Sequence, residues 1–297
     1  MEKLHQTIAP FPHAKLEFIP TQNRFNDIWE ALPLKSHFSK EFFYKLIIPS
    51  VFPQYDKIIV SDVDVVFLDD VSESFLAFEP DTNAYLAGIK SNDPDNIFPL
   101  VGWKTGYKNF SPAEFEAIKR GIGGGYFIAN LKQMRQDNIE QKFLDYLHNN
   151  AKKLVLAEQD VLNIICYPRI QALSLRHMIG HGYWKHYGQN WEKFTPKFYS
   201  QEEITQARLH PIQLHYIGDK KPWRYPGEPK SSLWFTYLCH TAFAQEFFEQ
   251  LPKTIIDLYI KSRLPYRLKS YVCKNPHFIF TRDFYQKLYR KLKNLLR

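Results

Sequence analysis

The sequence predicts an α/β fold built on an open, mostly parallel sheet flanked by helices. Two observations carry that prediction. Short apolar runs bounded by turn residues recur at 56–60, 84–89, 121–131 and 212–217, and between them lie stretches whose apolar residues fall three and four apart. Strands alternating with helical segments build such a sheet, and its ligands bind beyond the carboxyl ends of the strands. A chain of 297 residues, 44% hydrophobic and 24% charged, is long enough for one large α/β domain and has a globular rather than a disordered composition.

The elements follow in order. Residues 14–20 alternate weakly and read as a strand. Residues 39–51, apolar at 42, 43, 46, 47 and 51, read as a helix stopped near Pro53. The run 56–60 reads as a buried parallel strand that delivers Asp62 and Asp64 at its end, and 84–89 reads as a second buried strand. Residues 91–120 are polar and carry Pro94, Pro99 and Pro112, so they are expected to form an insertion over one face, with a short helix at 112–120. A glycine-rich stretch from Gly121 leads into another strand, helices follow at 139–149 and from 159 to 166, and 212–217 is a strand running into a glycine-containing loop.

Charge is unevenly placed. Residues 261–297 hold eleven Lys and Arg against the single acid Asp283, which leaves 28 basic and 30 acidic residues in 1–260 out of totals of 39 and 31. The body is therefore close to neutral, and no nucleic-acid partner is expected of it. From Phe280, the positions Phe284, Leu288, Leu292, Leu295 and Leu296 fall three or four apart among lysines and arginines. Such an amphipathic basic helix suits an anionic membrane surface, each basic residue adding about 1 kcal/mol. No run reaches the apolar length of a spanning helix, and the first residues lack the apolar core of a signal peptide. Cys166, Cys239 and Cys273 show no metal-binding spacing and read as free thiols.

The chemistry concentrates in two places. Asp62 and Asp64, two apart in an extended segment, point the same way and can reach one cation. A calcium loop is excluded, because Val65, Val66 and Phe67 occupy the positions where oxygen ligands and a glycine are needed. Two hard carboxylates at a strand end suit Mg²⁺ or Mn²⁺ bridging a diphosphate, with solvated turn acids as the alternative. The second constellation is His215-Tyr-Ile-Gly218-Asp-Lys-Lys221-Pro-Trp223. His215 could complete the carboxylate site in favour of manganese, and Lys221 or loop amides could meet a phosphate. Pro222 and Trp223 are expected to pack the loop.

Four segments in order, Tyr55-Asp-Lys-Ile-Ile-Val-Ser-Asp-Val-Asp, Gly125-Tyr-Phe-Ile-Ala-Asn-Leu-Lys, Glu158-Gln-Asp-Val-Leu-Asn and His215-Tyr-Ile-Gly-Asp-Lys-Lys-Pro-Trp, resemble glycosyltransferase family 8. The family includes bacterial galactosyl- and glucosyltransferases that extend lipopolysaccharide, and the likeness spans roughly residues 14–225. It implies a GT-A fold over residues 1–250, with 251–297 resembling the membrane-association segment of the bacterial members. It further implies a UDP-sugar donor bound through Mn²⁺ or Mg²⁺, a glycan or glycolipid acceptor, retention of anomeric configuration, and a cytoplasmic protein peripheral on the inner face of the membrane. By position, Asp62, Asp64 and His215 would be the metal ligands. Gly218 and Lys221 would hold the diphosphate. Val63, Gly124 and Lys45 would line the donor, Lys45 standing where the family commonly has arginine. Glu158 and Gln159 match the pair beside the donor sugar, Glu158 replacing the usual aspartate, and Gln159 would act through its amide oxygen.

Three departures shape the expectations. No Ala-Thr-Asp-x-Asn-Tyr type segment precedes Ala14, so the chain is expected to start after the first βα unit, on the order of 50 residues into the family pattern. The family's Phe-Asn-Ala-Gly approach to the donor is Ile122-Gly-Gly-Gly125 here, and Lys90 stands where some members carry an acid. A catalytically impaired glycan-binding or scaffold relative is the alternative, and a nucleotidyltransferase is a third reading. Acceptor recognition is expected in 91–120 and 176–210, where Trp103, Tyr107, His181, Trp184, His186 and Trp191 could stack on sugars or simply pack.

Overall fold

The computed structural model describes residues 1–21, 24–31, 39–90, 108–185, 198–274, 284–286 and 289. Among the described residues seven strands form two sheets: β1 (Lys57–Ser61), β2 (Val65–Phe67), β3 (Leu86–Lys90), β4 (Ile122–Asn130), β5 (Ile170–Ala172), β6 (Ile179–Gly180) and β7 (Gln213–His215). The larger sheet has the order β1-β4-β3-β5 and the smaller β2-β7-β6. The α/β class is as expected, but the pairing is mixed rather than mostly parallel. β4 runs antiparallel to both β1 and β3, β2 is antiparallel to β7, and only β3–β5 and β6–β7 are parallel. A short apolar run signals burial on both faces, and its composition carries no record of the direction in which its neighbour runs.

β4 is the spine. All nine of its residues are buried, and its side chains alternate between layers: Phe127 and Ala129 join the core containing Phe43, Leu46, Phe143 and Leu147, whereas Tyr126 packs with Met178 and Ile179 and Ile128 with Phe78. The Tyr126 layer fills the seam between the two sheets. There the Gln213 side-chain amide also donates to Ser61 Oγ at 2.9 Å.

Glycine at 121 and 88 is forced by close approach. A Cβ on Gly121 would lie 2.1 Å from the Asn163 side chain, and one on Gly88 would lie 2.6 Å from Ile122 Cδ1. Asn163 uses that closeness: its Oδ1 accepts from Ile122 N at 2.8 Å and its Nδ2 donates to Ile122 O at 3.0 Å. Helix Glu158–Cys166 is thereby pinned to the start of β4, which fixes Glu158 and Gln159 at its first turn. The entry to that helix is shaped by Asp160, whose Oδ2 accepts from the backbone of Val155 (2.7 Å) and Leu156 (2.8 Å), while Ala157 takes φ 47.

Other expectations meet mixed outcomes. Helices Pro112–Arg120 and Ile139–Asn150 form as predicted, the first closed by a capping box between Ser111 and Glu114. The expected strand at 14–20 does not form, and these residues pair with no strand among the described residues. The predicted helix at 39–51 divides into a 3-10 helix, Lys40–Leu46, and one turn, Ile48–Val51. Pro49 is the reason, since its ring excludes the carbonyl four residues back and it has no N–H to continue the ladder.

The chain falls into two compact units, Lys15–Tyr237 and a second made of Met1–Ala14 with Leu238–Arg297. Residue 250, where the family resemblance sets the end of the catalytic domain, lies within helix Ala244–Ser262, and the compact units divide between Tyr237 and Leu238. In the second unit Lys3 pairs with Glu246, and Ile255, Ile256, Tyr259 and Ile260 of helix Ala244–Ser262 are exposed. The predicted basic helix beyond Phe280 falls mostly outside the described residues. No helix among those described is long and apolar enough to cross a membrane, and all three cysteines are free.

Candidate active site

Asp62 directly follows β1, and its N–H donates to Gly125 O at 3.0 Å, carrying the pairing with β4 one step further. Two residues on, Asp64 O accepts from Tyr216 N at 3.0 Å, at the exit of β7. Asp62 therefore belongs to the larger sheet and Asp64 to the smaller, and Val63, 99% exposed, bridges them with its side chain in solvent. The register places His215 opposite Val65, next to both acids.

The three candidate ligands converge. A ligand atom from each of Asp62, Asp64 and His215 lies within 4.8 Å of the others. His215 Nε2 is 3.0 Å from Asp64 Oδ1 and 3.6 Å from Asp62 Oδ2, and its buried Nδ1 has no hydrogen-bond partner among the described residues. Two hard carboxylates and an imidazole gathered at one point fit a divalent cation of the Mg²⁺ or Mn²⁺ kind. Burial alone would raise the Asp64 carboxyl. The hydrogen bond and charge of His215, joined by Lys221, outweigh it and hold the group well below the usual carboxylate range.

Gly125 makes room for this cluster. A Cβ there would sit 2.6 Å from His215 Cε1 and 2.7 Å from Met178 Sδ, so the imidazole occupies the space a side chain would take. Neighbouring Gly124 gives a Cβ 3.3 Å from Glu158 Oε1 and 3.5 Å from Gln159 Oε1, an ordinary to slightly tight fit.

On the other side of Asp62 stands Lys45, from the 3-10 helix. Its Nζ donates to Asp62 Oδ1 (2.6 Å), Gly124 O (2.9 Å) and Glu158 Oε1 (3.1 Å). Burial would lower the Lys45 ammonium, but Glu158 and Asp62 more than offset it and the group is held above its usual range. Glu158 is 3% exposed, its Oε2 has no hydrogen-bond partner among the described residues, and burial pushes its carboxyl up to about 7 against the pull of Lys45. Gln159 Oε1 accepts from Gly124 N at 2.8 Å. The amide oxygen expected to face the reaction is thus half engaged by backbone, and its second lone pair and the Nε2 group are what remain.

Lys221 Nζ donates to Asp64 Oδ2 and, at 2.7 Å, to Tyr216 O. Gly218 takes φ 85 with nothing within 4 Å of where a Cβ would be, so the loop is open there. Pro222 is buried and the Trp223 ring lies 5.5 Å from that of Trp234, which packs the loop as expected. Of the residues considered for an acceptor, Trp103, Tyr107, His186 and Trp191 lie outside the described residues. His181 stacks on Tyr216 at 5.7 Å and lies 3.5 Å from Glu228, and Trp184 has Lys230 5.1 Å from its ring. Sequence reasoning missed Gly125 as a spacer and Asn163 as an anchor, although the Gly-Gly-Gly run was a visible sign of close approach.

The fold is of GT-A architecture, with two carboxylates and an imidazole gathered where the two sheets meet. The chain belongs to glycosyl transferase family 8, whose sequence profile matches residues 2–227. Among similar proteins, the human xylosyl- and glucuronyltransferase LARGE2 is 30% identical over 127 residues, 41% of this chain and 16% of the relative. Glycosyltransferase 8 domain-containing protein 1 of Xenopus laevis is 24% identical over 196 residues, 61% of this chain and 51% of the relative. The chain thus spans about half or less of these curated relatives. Among solved structures, the bifunctional glycosyltransferase WbbM aligns with a TM-score of 0.61 at 20% identity, covering 84% of this chain and 43% of WbbM. The galactosyltransferase LgtC, solved with donor and acceptor sugar analogs, aligns at 0.55 with 16% identity, covering 81% of this chain and 90% of LgtC.

Proposed function

We propose that this protein is a metal-dependent retaining hexosyltransferase that moves galactose or glucose from a UDP-sugar to a lipopolysaccharide or other surface-glycan acceptor. The observation that carries the reading is the convergence of Asp62, Asp64 and His215 within a family 8 chain. These three would hold Mn²⁺, or Mg²⁺, which when bound supplies a Lewis acid for the charge developing on the departing diphosphate. Lys221 keeps one N–H beyond its bonds to Asp64 and Tyr216 and would give it to a phosphate oxygen, with Gly218 leaving the loop open to that group.

The donor sugar would lie against Glu158 Oε2 and the Gln159 carboxamide, the polar groups at the first turn of their helix with capacity left to bind hydroxyls. Neither is placed as a strong nucleophile: Gln159 is an amide, and Glu158 is tied to Lys45. Retention is therefore assigned to attack on the departing side. The acceptor oxygen bonds to the anomeric carbon as the bond from that carbon to the diphosphate oxygen breaks, and the acceptor proton passes to that oxygen. The work would take place at the inner face of the cytoplasmic membrane, held by the basic C-terminal segment and supported by the exposed Ile255, Ile256, Tyr259 and Ile260.

Calorimetric titration of UDP tests the core of this reading. Binding is expected in Mn²⁺, lost in EDTA, and lost in Asp64→Asn. Failure of the wild-type chain to bind UDP in Mn²⁺ would overturn it in favour of a catalytically impaired glycan-binding or scaffold protein.

A further inference from the structure

We infer that Lys45 and Lys221 determine the cation preference of the site by occupying the outer oxygen of each metal carboxylate, leaving each aspartate a single oxygen to offer. This assignment rests on the metal-dependent reading above. The contacts divide with a simple symmetry. Asp62 gives Oδ1 to Lys45 at 2.6 Å and turns Oδ2 toward His215 Nε2 at 3.6 Å. Asp64 gives Oδ2 to Lys221 and turns Oδ1 toward the same nitrogen at 3.0 Å. The two inner oxygens and the imidazole face one another, and the outer oxygens are held by ammonium groups in charge-assisted hydrogen bonds.

Both lysines are anchored from behind. An ammonium has three donors, and Lys45 commits all of them, to Asp62, to Gly124 O at 2.9 Å and to Glu158 Oε1 at 3.1 Å. Its side chain is only 12% exposed, so it has neither a proton left for a sugar nor room to swing aside. Lys221 is steadied by Tyr216 O at 2.7 Å. Lys45 is thus a positioning residue acting through Asp62, which differs from the donor-lining role implied by its place in the family pattern.

The chemical consequence is selectivity. Ca²⁺ takes six to eight oxygens and commonly gains them through bidentate carboxylates, whereas Mg²⁺ and Mn²⁺ accept octahedral sites built from single oxygens, water and imidazole. With both outer oxygens engaged, the bidentate mode is closed and calcium loses two ligands.

The test compares Mn²⁺ and Ca²⁺ dissociation constants, by calorimetry with UDP present, for the wild type, Lys45→Met and Lys221→Met. Removing a positive charge strengthens the binding of both dications alike, so the ratio of the two constants isolates coordination from electrostatics. The wild type is expected to prefer Mn²⁺, and that preference should fall by roughly tenfold or more in each variant, the scale on which outer-shell partners act. Lys221 is 22% exposed and stands outside the Lys45 cluster, so Lys221→Met reports the same effect should Lys45→Met fail to fold. A ratio unchanged within twofold in a folded variant that still binds Mn²⁺ would overturn the assignment while leaving the metal-dependent reading intact. Absence of any Mn²⁺ binding by the wild type would overturn both.

Discussion

Replacing Gly125 by alanine adds one methyl group where His215 already stands. The new Cβ would lie 2.6 Å from Cε1 and 2.7 Å from Nδ1 of the imidazole, and 2.7 Å from Met178 Sδ. Carbon atoms settle at about 3.5 Å or more, so roughly 0.9 Å has to be recovered. The backbone gives little, because Gly125 O is fixed by Asp62 N at 3.0 Å and the residue lies in the buried spine of the sheet. His215 is the part that moves. Metal ligands tolerate about 0.2 Å, so a displacement several times larger should weaken Mn²⁺ binding by about 10- to 100-fold, or about 1.4 to 2.7 kcal/mol. Overpacking should lower global stability by about 1 to 3 kcal/mol as well. Gly124→Ala is the control one residue away: its Cβ meets only Glu158 Oε1 at 3.3 Å and Gln159 Oε1 at 3.5 Å, so Mn²⁺ affinity should hold while the donor side is crowded. Titration of Mn²⁺ in the presence of UDP, followed by the resonance of the free aquo ion, reads the affinity, and a thermal melt confirms folding. A folded Gly125→Ala chain that binds Mn²⁺ within twofold of wild type would refute the steric argument.

Asn163→Ala should lower stability by about 2 to 3 kcal/mol, since it strands the buried N–H and C=O of Ile122 together, and a melting temperature unchanged from wild type would contradict the pinning described above. Glu114 governs part of the acid sensitivity. Burial would raise its carboxyl, but hydrogen bonds from Lys153, Tyr146 and Ser111 outweigh burial and bring it to about 2 from an ordinary 4.5. The unfolded chain then holds the proton more tightly, so this contribution is present in full above pH 4.5 and disappears as pH falls toward 2. Unfolding free energies from urea titration at pH 5 and pH 3 should therefore differ by about 1 to 2 kcal/mol less in Glu114→Gln than in wild type, and parallel pH dependence in the two proteins would count against it. Deleting residues 276–297 should abolish sedimentation with anionic vesicles, and equal binding by the shortened chain would defeat the membrane reading.

What was legible in the sequence is what depends on local chemistry. The run Lys57–Ser61 announced a strand because Ile58, Ile59 and Val60 are three consecutive β-branched apolar residues after a turn, and Asp62 and Asp64 announced a site because acids followed it. His215 was found for the same reason, at the end of Gln213-Leu214. Strand direction was not legible: antiparallel β1 and β3 flank β4 with no hairpin between them, so no turn signature recorded their sense. The role of Lys45 was also hidden. Its spacing places it on a helical segment 17 residues before Asp62, but only the fold reveals that Gly124 and Glu158 use up its remaining donors. Residues 14–20 show the converse failure, a weakly alternating pattern with no partner strand among the described residues.

The split of the carboxylate pair between the two sheets turns the candidate site into a gauge of their alignment. Asp62 is tied to β1 and β4, Asp64 and His215 to β2 and β7, and the seam between holds Tyr126, Met178 and Ile179 and the hydrogen bond from Gln213 to Ser61 Oγ. A cation held by Asp62, Asp64 and His215 would fasten one sheet to the other like a rivet. Substitutions buried in that seam, remote from any sugar, will accordingly register as changes in metal affinity. Ligand binding will in turn register as slowed amide exchange in strands that never touch it.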